Sequence, residues 1–363
     1  MDRNTLLILL CSVFSMTNSK KMNVLFFASD DMRPEINFFA ASGRDFPSPV
    51  HPKMHTPNLD ALAAKSLVLK RAYVQQAVCS PSRTSLLTGR RPDTTHVYNL
   101  VDYFRKVGGN FTTIPQHFKN NGYISTGMGK IFHPGVASDN DDPISWSVPY
   151  YHAPNLALYS TKNASWVAVN ATTRERAPLP DEQVANHAIK ILRQYAAKSK
   201  EKYKFADKSK ENHKFADKSK EYHKFADKSN DIHQFADKSN DIREFATANS
   251  TDDNQPFFLA VGFHKPHLPF VFPEEYLQFY PRDAIRVPDN QFAPEDMPEI
   301  AWTGYGELRS YADIKKLHAS GQPNTTLPAS VVMDLRRAYY RQDTCYCMQR
   351  GLLLFIPYSL SQG

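Results

Sequence analysis

Two apolar runs constrain the fold of this 363-residue chain more than any other feature. Residues 23–29 read NVLFFAS and end in Asp30-Asp31, and residues 256–263 read PFFLAVGF and lead into His264. Neither run alternates polar with apolar residues, which is typical of parallel strands that are buried on both faces. Ligands of open α/β sheets bind at the carboxyl ends of the strands. The polar residues after each run are therefore candidates for a functional site.

Several other segments show the periodicity of helices. Apolar side chains three and four residues apart predict an amphipathic helix over residues 181–197. Shorter helices are expected at residues 57–66, 80–87 and 114–120, and a further strand at residues 123–128. A chain of this length can bury a substantial core. The alternation of strands and helices predicts an α/β fold with a mostly parallel sheet sandwiched by helices.

A charged repeat interrupts this pattern over residues 198–249. The pentapeptide FADKS recurs every ten residues, beginning at Phe205, Phe215, Phe225 and Phe235. A ten-residue step places successive Phe side chains on different sides of a helix, and Lys and Asp are too frequent for a buried strand. The repeat predicts a solvated, disordered insertion, with a tether for polyanions as the alternative.

The first 19 residues resemble a secretory signal peptide, because residues 6–14 are apolar and Ser15, Thr17 and Ser19 are small. A buried strand or helix is the alternative. The apolar run is too short to span a membrane, so no stable membrane insertion is expected. Five glycosylation sequons support passage through the secretory pathway to the lysosome or the cell exterior. They lie at Asn110, Asn163, Asn170, Asn249 and Asn324.

Charge and cysteine content argue against two further classes of protein. The net charge of +7 is spread over the whole chain, so no nucleic-acid partner is expected. Cys79 is the one cysteine in the body of the chain, because Cys11 belongs to the predicted signal peptide and Cys345 and Cys347 lie near the end. The fold therefore cannot depend on a disulfide framework.

Two short motifs carry the strongest chemical signal. The first is Cys79-Ser80-Pro81-Ser82-Arg83 with a downstream Thr88-Gly89, and the second is GYISTGMGKIFH over residues 122–133. Together they resemble the two signatures of the sulfatase family, with a methionine in the second motif as a mild departure. The resemblance implies the alkaline-phosphatase-like sulfatase fold. Read alone, the first motif also fits a buried core cysteine in a Pro/Ser turn.

The resemblance implies a sulfuric ester hydrolase whose nucleophile derives from Cys79. In that family a formylglycine-generating enzyme converts this cysteine to formylglycine, and a hydroxyl of the hydrated aldehyde attacks sulfur. The start of a helix, where Cys79 is predicted to lie, favours negative charge. Arg83, one turn later, is expected to hold the diol or a metal-bound carboxylate by a charge-assisted bond.

The remaining catalytic roles follow from the same resemblance. Lys130 is implied to hold the sulfate or the modified residue, and His133 to take the second proton of the diol. His264 is implied to be the general acid for the leaving alcohol. For His267 a catalytic contact and a role in shaping the loop stay open.

Asp30 and Asp31 are the candidate metal ligands. Two adjacent carboxylates at the end of a buried strand are costly without a cation. In the family they bind calcium together with the modified cysteine, here Cys79, and calcium is a hard cation that prefers oxygen ligands. A turn or a helix-cap pair is the alternative.

Further matches surround the two motifs and narrow the resemblance. Residues 75–78 read QQAV, residues 89–95 read GRRPDTT, residues 132–135 read FHPG and residues 264–267 read HKPH. They resemble the branch of the family that removes 2-O-sulfate from iduronate in heparan and dermatan sulfate. That branch implies a sulfated glycosaminoglycan as substrate and the formylglycine-generating enzyme as a partner. The basic net charge agrees with a polyanionic substrate.

The resemblance covers residues 20–197 and 250–340, which predicts an N-terminal sulfatase domain. Residues 330–340 resemble a helix of the family, and residues 341–363 form a divergent tail. The Ser-Asp-His-Gly segment that completes the calcium site in the family is not found. We therefore expect a fold truncated at its C-terminus.

Three interpretations of function stay open at this stage. The chain is either a truncated form of an active sulfatase or an inactive, sulfatase-like or glycan-binding protein. A phosphodiesterase or phosphatase of the same superfamily is the third reading. The Cys-x-Pro-x-Arg pattern argues against that third reading, since those enzymes use Ser or Thr as the nucleophile.

Overall fold

Five strands form two parallel sheets in the computed structural model, which describes residues 21–41, 53–210 and 255–348. The strands are β1 (Val24–Asp30), β2 (Ile124–Gly129), β3 (Trp166–Val169), β4 (Phe257–Pro266) and β5 (Phe270–Pro273). The larger sheet has the order β1-β4-β2, and the smaller one pairs β3 with β5. All three pairings are parallel. The carboxyl ends of β1, β2 and β4 therefore lie at one edge of the larger sheet.

The helices of the described ranges lie between and around these strands. They are α1 (Asn37–Ala41), α2 (Pro57–Ala63), α3 (Cys79–Thr88), α4 (Pro92–Thr95), α5 (Phe104–Val107), α6 (Ile114–Asn120), α7 (Leu156–Tyr159), α8 (Ala171–Arg176), α9 (Pro180–Lys210), α10 (Ala312–Lys315) and α11 (Ala329–Met348). Short 3₁₀ turns lie at Gly135–Ala137, Asp139–Asp141, Glu274–Phe279, Arg282–Ala284, Glu299–Ala301 and Leu308–Ser310.

Strand β4 is buried on both faces, as its continuous apolar sequence predicts. Leu259 and Val261 pack with α9 on one face, while Phe258 and Ala260 pack with the residues around α3 and α6 on the other. Alternate residues of a strand point to opposite faces, so an all-apolar strand needs cover on both. The prediction of a parallel sheet sandwiched by helices is confirmed.

Most of the predicted elements form close to their expected bounds. The helix at residues 114–120 forms without change, and its Thr113 side chain makes a capping box with Gln116. The helix expected at residues 57–66 ends at Ala63, three residues early. The strand expected at residues 256–263 continues to Pro266 and so includes His264.

Helix α9 is longer than the periodicity predicted. It continues from residue 197 to Lys210, into the segment assigned to the charged insertion. Residues 198–210 contain Ala, Lys and Glu with neither Gly nor Pro, so their intrinsic propensity supports the helix. The rest of the predicted insertion, residues 211–249, lies outside the described residues.

Helix α11 also continues past the expected end of the family resemblance. Arg341 and Gln342, the first two residues of the predicted tail, are buried. Arg341 donates hydrogen bonds to the carbonyl oxygens of Tyr276 and Leu277 at 3.2 and 3.0 Å. These two residues therefore belong to the folded unit.

Some predictions fall outside the described residues, namely the signal peptide at residues 1–19, the sequon at Asn249 and the tail from residue 349. The four other sequon asparagines, Asn110, Asn163, Asn170 and Asn324, are exposed. Among the described residues, no helix has the length and hydropathy of a membrane span.

Candidate active site

The carboxyl edge of the larger sheet gathers most of the predicted site residues. Asp30 ends β1, Lys130 follows β2 directly, and Cys79 begins α3. The Cys79 Sγ atom lies 3.6 Å from Asp30 Oδ1 and 3.5 Å from Lys130 Nζ. Residues that the chain separates by 49 and 51 positions thus meet at one thiol.

Helix α3 places Cys79 at its N-terminus. Val78 before it is extended, and Gly89 at the other end adopts a left-handed conformation with φ of 65° that ends the helix. Pro81 lies in the first turn, where the missing N–H costs no helical hydrogen bond. Free backbone N–H groups and the helix dipole favour negative charge beside Cys79.

Arg83 ties the edge of the sheet together from the second turn of α3. Its Nη2 donates to Asp30 Oδ1 at 2.7 Å, and its Nη1 donates to the carbonyl oxygens of Lys130 and, at 2.9 Å, Ile131. The side chain is almost fully buried. Arg83 therefore fixes the ends of β1 and β2 relative to the helix that carries Cys79.

Two glycines allow β2 and β4 to approach closely enough for this arrangement. A Cβ atom on Gly262 would lie 2.1 Å from the carbonyl oxygen of Lys130, and one on Gly129 would lie 1.9 Å from that of Gly262. Gly129 also has φ of 71°, which side chains disfavour. Any larger residue at either position would displace Lys130.

Asp30 is a buried carboxylate with two cationic partners. Lys130 Nζ contacts Asp30 Oδ2, and Arg83 contacts Oδ1. Burial raises the pKa of Asp30, but the charges of Arg83 and Lys130 outweigh it and hold the pKa well below its ordinary value. Asp30 is therefore ionised throughout the physiological pH range.

The surroundings of the Cys79 thiol disfavour its ionised form, whereas those of Asp30 favour the ionised form. Burial raises its pKa to about 11, and the negative charge of Asp30 adds to the effect. A cysteine that acts as a nucleophile needs a lowered pKa, because the thiolate is the reactive form. The unmodified Cys79 side chain is thus a protonated and weakly reactive thiol.

Asp31 differs from Asp30 in both exposure and compensation. Its side chain is 56% exposed, and its backbone is left-handed with φ of 60°. Burial of the carboxyl raises the pKa of Asp31, and the charge of Asp30 raises it further. The negative charge of this carboxylate is therefore only partly balanced by the side chains described around it.

His267 is the histidine whose ring lies beside the Asp31 carboxylate. Its Nδ1 donates to the carbonyl oxygen of Leu268 at 2.6 Å, which fixes the ring and leaves Nε2 for the site. Nε2 lies 3.6 Å from a carboxylate oxygen of Asp31 and 3.6 Å from one of Glu307. Ligand atoms of Asp30, Cys79 and His267 lie within 4.8 Å of one another.

His264, the histidine expected to be the general acid, is oriented toward a different residue. Its ring Nδ1 lies 3.2 Å from Asp181 Oδ1, and the backbone N–H groups of His264 and Lys265 donate to the same carboxylate, each at 2.9 Å. Asp181 is buried in the first turn of α9. His264 therefore anchors the end of β4, while His267, directly after the strand, lies in the cluster.

His133 lies near the cationic side of the site. Its Nδ1 faces the carbonyl oxygen of Pro134 at 3.0 Å. Burial lowers the pKa of His133, and the charge of Lys130 lowers it further. The ring is therefore neutral at neutral pH and can accept a proton.

The oxygen donors partly fit a hard divalent cation. Asp30 and Asp31 offer carboxylate oxygens next to residue 79, and the incompletely balanced charge of Asp31 is what a cation would neutralise. Calcium takes six to eight oxygen ligands, so these residues supply part of a coordination shell.

Two residues at this site gave no signal in the sequence. Asp181 resembles an ordinary acidic residue in the first turn of a helix, and Glu307 lies in an irregular segment before a 3₁₀ turn. Lys162 contacts Glu307 at 3.6 Å across the rim of the site. Only the tertiary structure brings these side chains to the loop that carries His267.

Comparisons with known proteins agree with the motifs. The family model described as "Sulfatase" matches residues 22–342. Human iduronate 2-sulfatase is 32% identical over 345 residues, which cover 92% of this chain and 51% of that protein. The mouse protein is 32% identical over 92% of this chain, and a sulfatase of Formosa agariphila is 24% identical over 83% of it. The chain thus spans about half the length of the curated relatives it matches.

Among solved structures, the phosphonate monoester hydrolase of Agrobacterium radiobacter superimposes with a TM-score of 0.49 and 16% identity. The superposition covers 94% of this chain and 60% of that protein.

Proposed function

The chain belongs to the sulfatase family, and we propose that it forms the nucleophile-bearing part of a sulfuric ester hydrolase. The observation that carries the proposal is the cluster at Cys79, whose Sγ lies 3.6 Å from Asp30 and 3.5 Å from Lys130. Family membership brings with it the alkaline-phosphatase-like fold, to which the parallel sheet between helices conforms.

The nucleophile is formylglycine, produced from Cys79 by a formylglycine-generating enzyme. The thiol pKa of about 11 supports this step, because an unmodified Cys79 would be a poor nucleophile. When present, the modified side chain supplies a geminal diol in which one hydroxyl can attack sulfur and the other can later expel sulfate.

Lys130 and Arg83 provide the positive charge of the site. Lys130 Nζ lies beside the side chain of residue 79, where it can bind a sulfate oxygen and stabilise charge that develops during transfer. Arg83 holds Asp30 and two backbone carbonyls, so it orients the carboxylate and the strand ends. Preorganised charges of this kind need no rearrangement when the reaction occurs.

Proton transfer to the leaving alcohol belongs to His267 in this proposal, and no longer to His264. The Nδ1–H of His267 is bound to a carbonyl oxygen, so in the protonated ring the Nε2–H faces the cluster and can pass to the leaving oxygen, which leaves the ring neutral. His133 is the base for the second diol proton, since its lowered pKa keeps the ring neutral.

Calcium is the proposed cofactor. Asp30, Asp31 and the oxygen of the modified residue 79 would hold it, together with ligands beyond these three. A bound divalent cation would add positive charge that stabilises the sulfate in the transition state.

The proposed substrate is the 2-O-sulfate of iduronate at the end of heparan or dermatan sulfate. The similarity to iduronate 2-sulfatase along 92% of the chain supports this choice. The sequons at Asn110, Asn163, Asn170, Asn249 and Asn324 and the signal-like N-terminus support a glycoprotein of the secretory pathway, in the lysosome or outside the cell.

Replacement of the nucleophile tests the proposal most directly. The full chain and its Cys79→Ala variant are produced in cells that contain the formylglycine-generating enzyme, and sulfate release is measured on an iduronate-2-sulfate disaccharide. We expect a loss on the order of 10⁴-fold or more, the scale seen when a catalytic nucleophile is removed. Ser82→Ala, in the same helix, is the matched control and should keep its activity.

Each other outcome has a defined meaning. Turnover by Cys79→Ala at the wild-type rate would overturn the mechanism. If sulfate were released from an aryl sulfate but not from the disaccharide, sulfatase activity would be supported and iduronate 2-sulfate would be rejected as the substrate. Heparin binding without hydrolysis by a chain that carries formylglycine would favour the glycan-binding alternative, and phosphate-ester hydrolysis by unmodified protein would favour a phosphatase.

A further inference from the structure

The hydroxyl of Tyr339 closes the turn that follows β1. The backbone N–H of Arg33 donates to Tyr339 Oη at 2.8 Å, and the Tyr339 O–H donates to the carbonyl oxygen of Asp31 at 2.8 Å. One hydroxyl thus acts as acceptor and donor for the same short turn. The two contacts join α11 to residues 306 and 308 positions earlier in the chain.

Asp31 needs such support because of its backbone conformation. It has φ of 60°, in the left-handed region that residues other than glycine rarely occupy. A conformation of this kind persists only where the surrounding structure holds it in place. Both hydrogen bonds of the Tyr339 hydroxyl involve peptide groups on the C-terminal side of Asp31, where they fix the path of the chain.

The conformation of Asp31 decides where its carboxylate lies. Asp30 and Asp31 are adjacent, yet one is buried against Arg83 and the other lies 3.6 Å from Nε2 of His267. Successive residues of a strand point to opposite sides, so a regular extension of β1 would direct the second side chain away from the first. The left-handed turn keeps both carboxylates available to the cluster.

We infer that Tyr339 is a positioning residue of the active site, which holds Asp31 in the conformation that presents its carboxylate to the metal and to His267. This inference rests on the proposed function for the role of Asp31 as a ligand. The contact itself is independent of that function. The ring of Tyr339 packs edge-on against Phe270 at 5.7 Å, so the aromatic ring and the hydroxyl have separable roles.

The neighbouring tyrosine provides a matched control. Tyr340 is buried in the same helix, and its hydroxyl accepts a hydrogen bond from Arg336, one turn earlier in α11, at 2.8 Å. Tyr339→Phe and Tyr340→Phe each remove one oxygen and keep the ring. They differ in whether the lost hydrogen bonds lead to the turn at Asp31.

The test combines hydrogen exchange with calcium titration of the full chain that carries formylglycine. In Tyr339→Phe we expect the Arg33 amide to exchange about tenfold faster, since its acceptor is gone. We also expect calcium to bind about tenfold more weakly, which corresponds to ~1.4 kcal/mol, the scale of one lost hydrogen bond. Saturating calcium should restore kcat to near the wild-type value, and Tyr340→Phe should match wild type in both measurements.

Two outcomes would overturn the inference. One is unchanged exchange and unchanged calcium affinity in Tyr339→Phe. The other is an equal loss of activity at every calcium concentration with a lowered melting temperature, which would mean a structural role alone. If wild type hydrolyses no sulfate ester while Tyr339→Phe still accelerates exchange at Arg33, the positioning contact is supported and the proposed function is rejected.

Discussion

Among the described residues, Asp30 and Asp141 are buried carboxylates that pair with Arg or Lys, and they serve different ends. Asp30 lies between Arg83 and Lys130. Asp141 accepts two bonds from Arg105 at 2.6 and 2.7 Å. By burial and charge alone the two centres look alike.

The difference lies in what surrounds each ion pair. Asp141 also accepts from the hydroxyls of Tyr103 and Ser145, while Arg105 donates to Gln116 at 2.9 Å. Both charged groups of this centre are therefore hydrogen-bonded to other side chains of the protein. Asp30 instead touches a thiol, and its neighbour Asp31 keeps a carboxylate that is incompletely balanced and open to solvent.

The comparison teaches that a buried ion pair is not by itself the mark of an active site. Ion pairs with complete partners stabilise or specify a fold, and perturbed groups with incomplete partners are the ones available for chemistry. The centre at Asp141 belongs to the first kind and the centre at Asp30 to the second. Changes at each should therefore affect different measured quantities.

The largest effect is expected for the histidine of the incomplete centre. His267→Gln should lower kcat about 10³-fold, in the range for loss of a general acid. His264→Gln, three residues earlier at the end of β4, is the control and should lower kcat about tenfold or less, because its ring faces Asp181. Steady-state kinetics on the sulfated disaccharide measures both. A larger loss for His264→Gln would return the acid role to that residue.

Removal of the charge from the complete centre should affect stability instead. Asp141→Asn leaves Arg105 buried without its counter-charge, and we expect a loss of about 3 kcal/mol in the free energy of unfolding. Urea unfolding measures this change, with the exposed Asp93→Asn as control. The folded fraction should keep its kcat. A variant of unchanged stability that lost its turnover would erase the distinction between the two centres.

A smaller, pH-dependent effect is expected at Asp181, a buried carboxylate that holds the end of β4 next to the candidate site. Burial raises the pKa of Asp181, but the hydrogen bonds and charge of His264 lower it by more than that, so the pKa lies below the ordinary value of 3.8. A carboxyl with a lowered pKa stabilises the fold above its unfolded pKa, and that contribution is lost as pH falls through the folded pKa. At pH 6 we therefore expect Asp181→Asn to cost ~2 kcal/mol.

This difference from wild type should shrink below about pH 4, as the wild-type carboxyl becomes protonated. Unfolding in urea between pH 6 and pH 3 measures it, again beside Asp93→Asn. A difference that stayed constant with pH would mean that the charge of Asp181 does not contribute to the link between α9 and the end of β4.

Sequence motifs predicted many residues of the candidate site because they lie close to regular elements. Cys79 and Arg83 are one helical turn apart, and Asp30 and Lys130 end parallel strands that must meet at one edge. Hydrophobic patterns located the strands for the same reason, since a central parallel strand is apolar throughout. Such features depend on local spacing, which a sequence displays directly.

The rest depends on contacts between distant segments. His264 and His267 are three residues apart, and only the path of the loop against Asp181 decides which ring enters the cluster. Tyr339 meets Asp31 across 308 positions, and nothing in the pattern of α11 distinguishes its hydroxyl from that of Tyr340. Helix ends were also misplaced, because charged helix formers continue α9 without an apolar stripe to reveal it.

The direction of α9 determines where the decapeptide repeats are attached. The helix starts at the end of the sheet that carries the candidate site, where Asp181 binds the end of β4, and by residue 210 it has advanced roughly 44 Å at 1.5 Å per residue. Strand β4 begins with Phe257 at the end of the sheet opposite to Asp30. The segment of residues 211–254 is thus attached on the side of the sheet away from Cys79. A change in the number of decapeptide repeats would alter the chain at a point remote from the residues around Cys79.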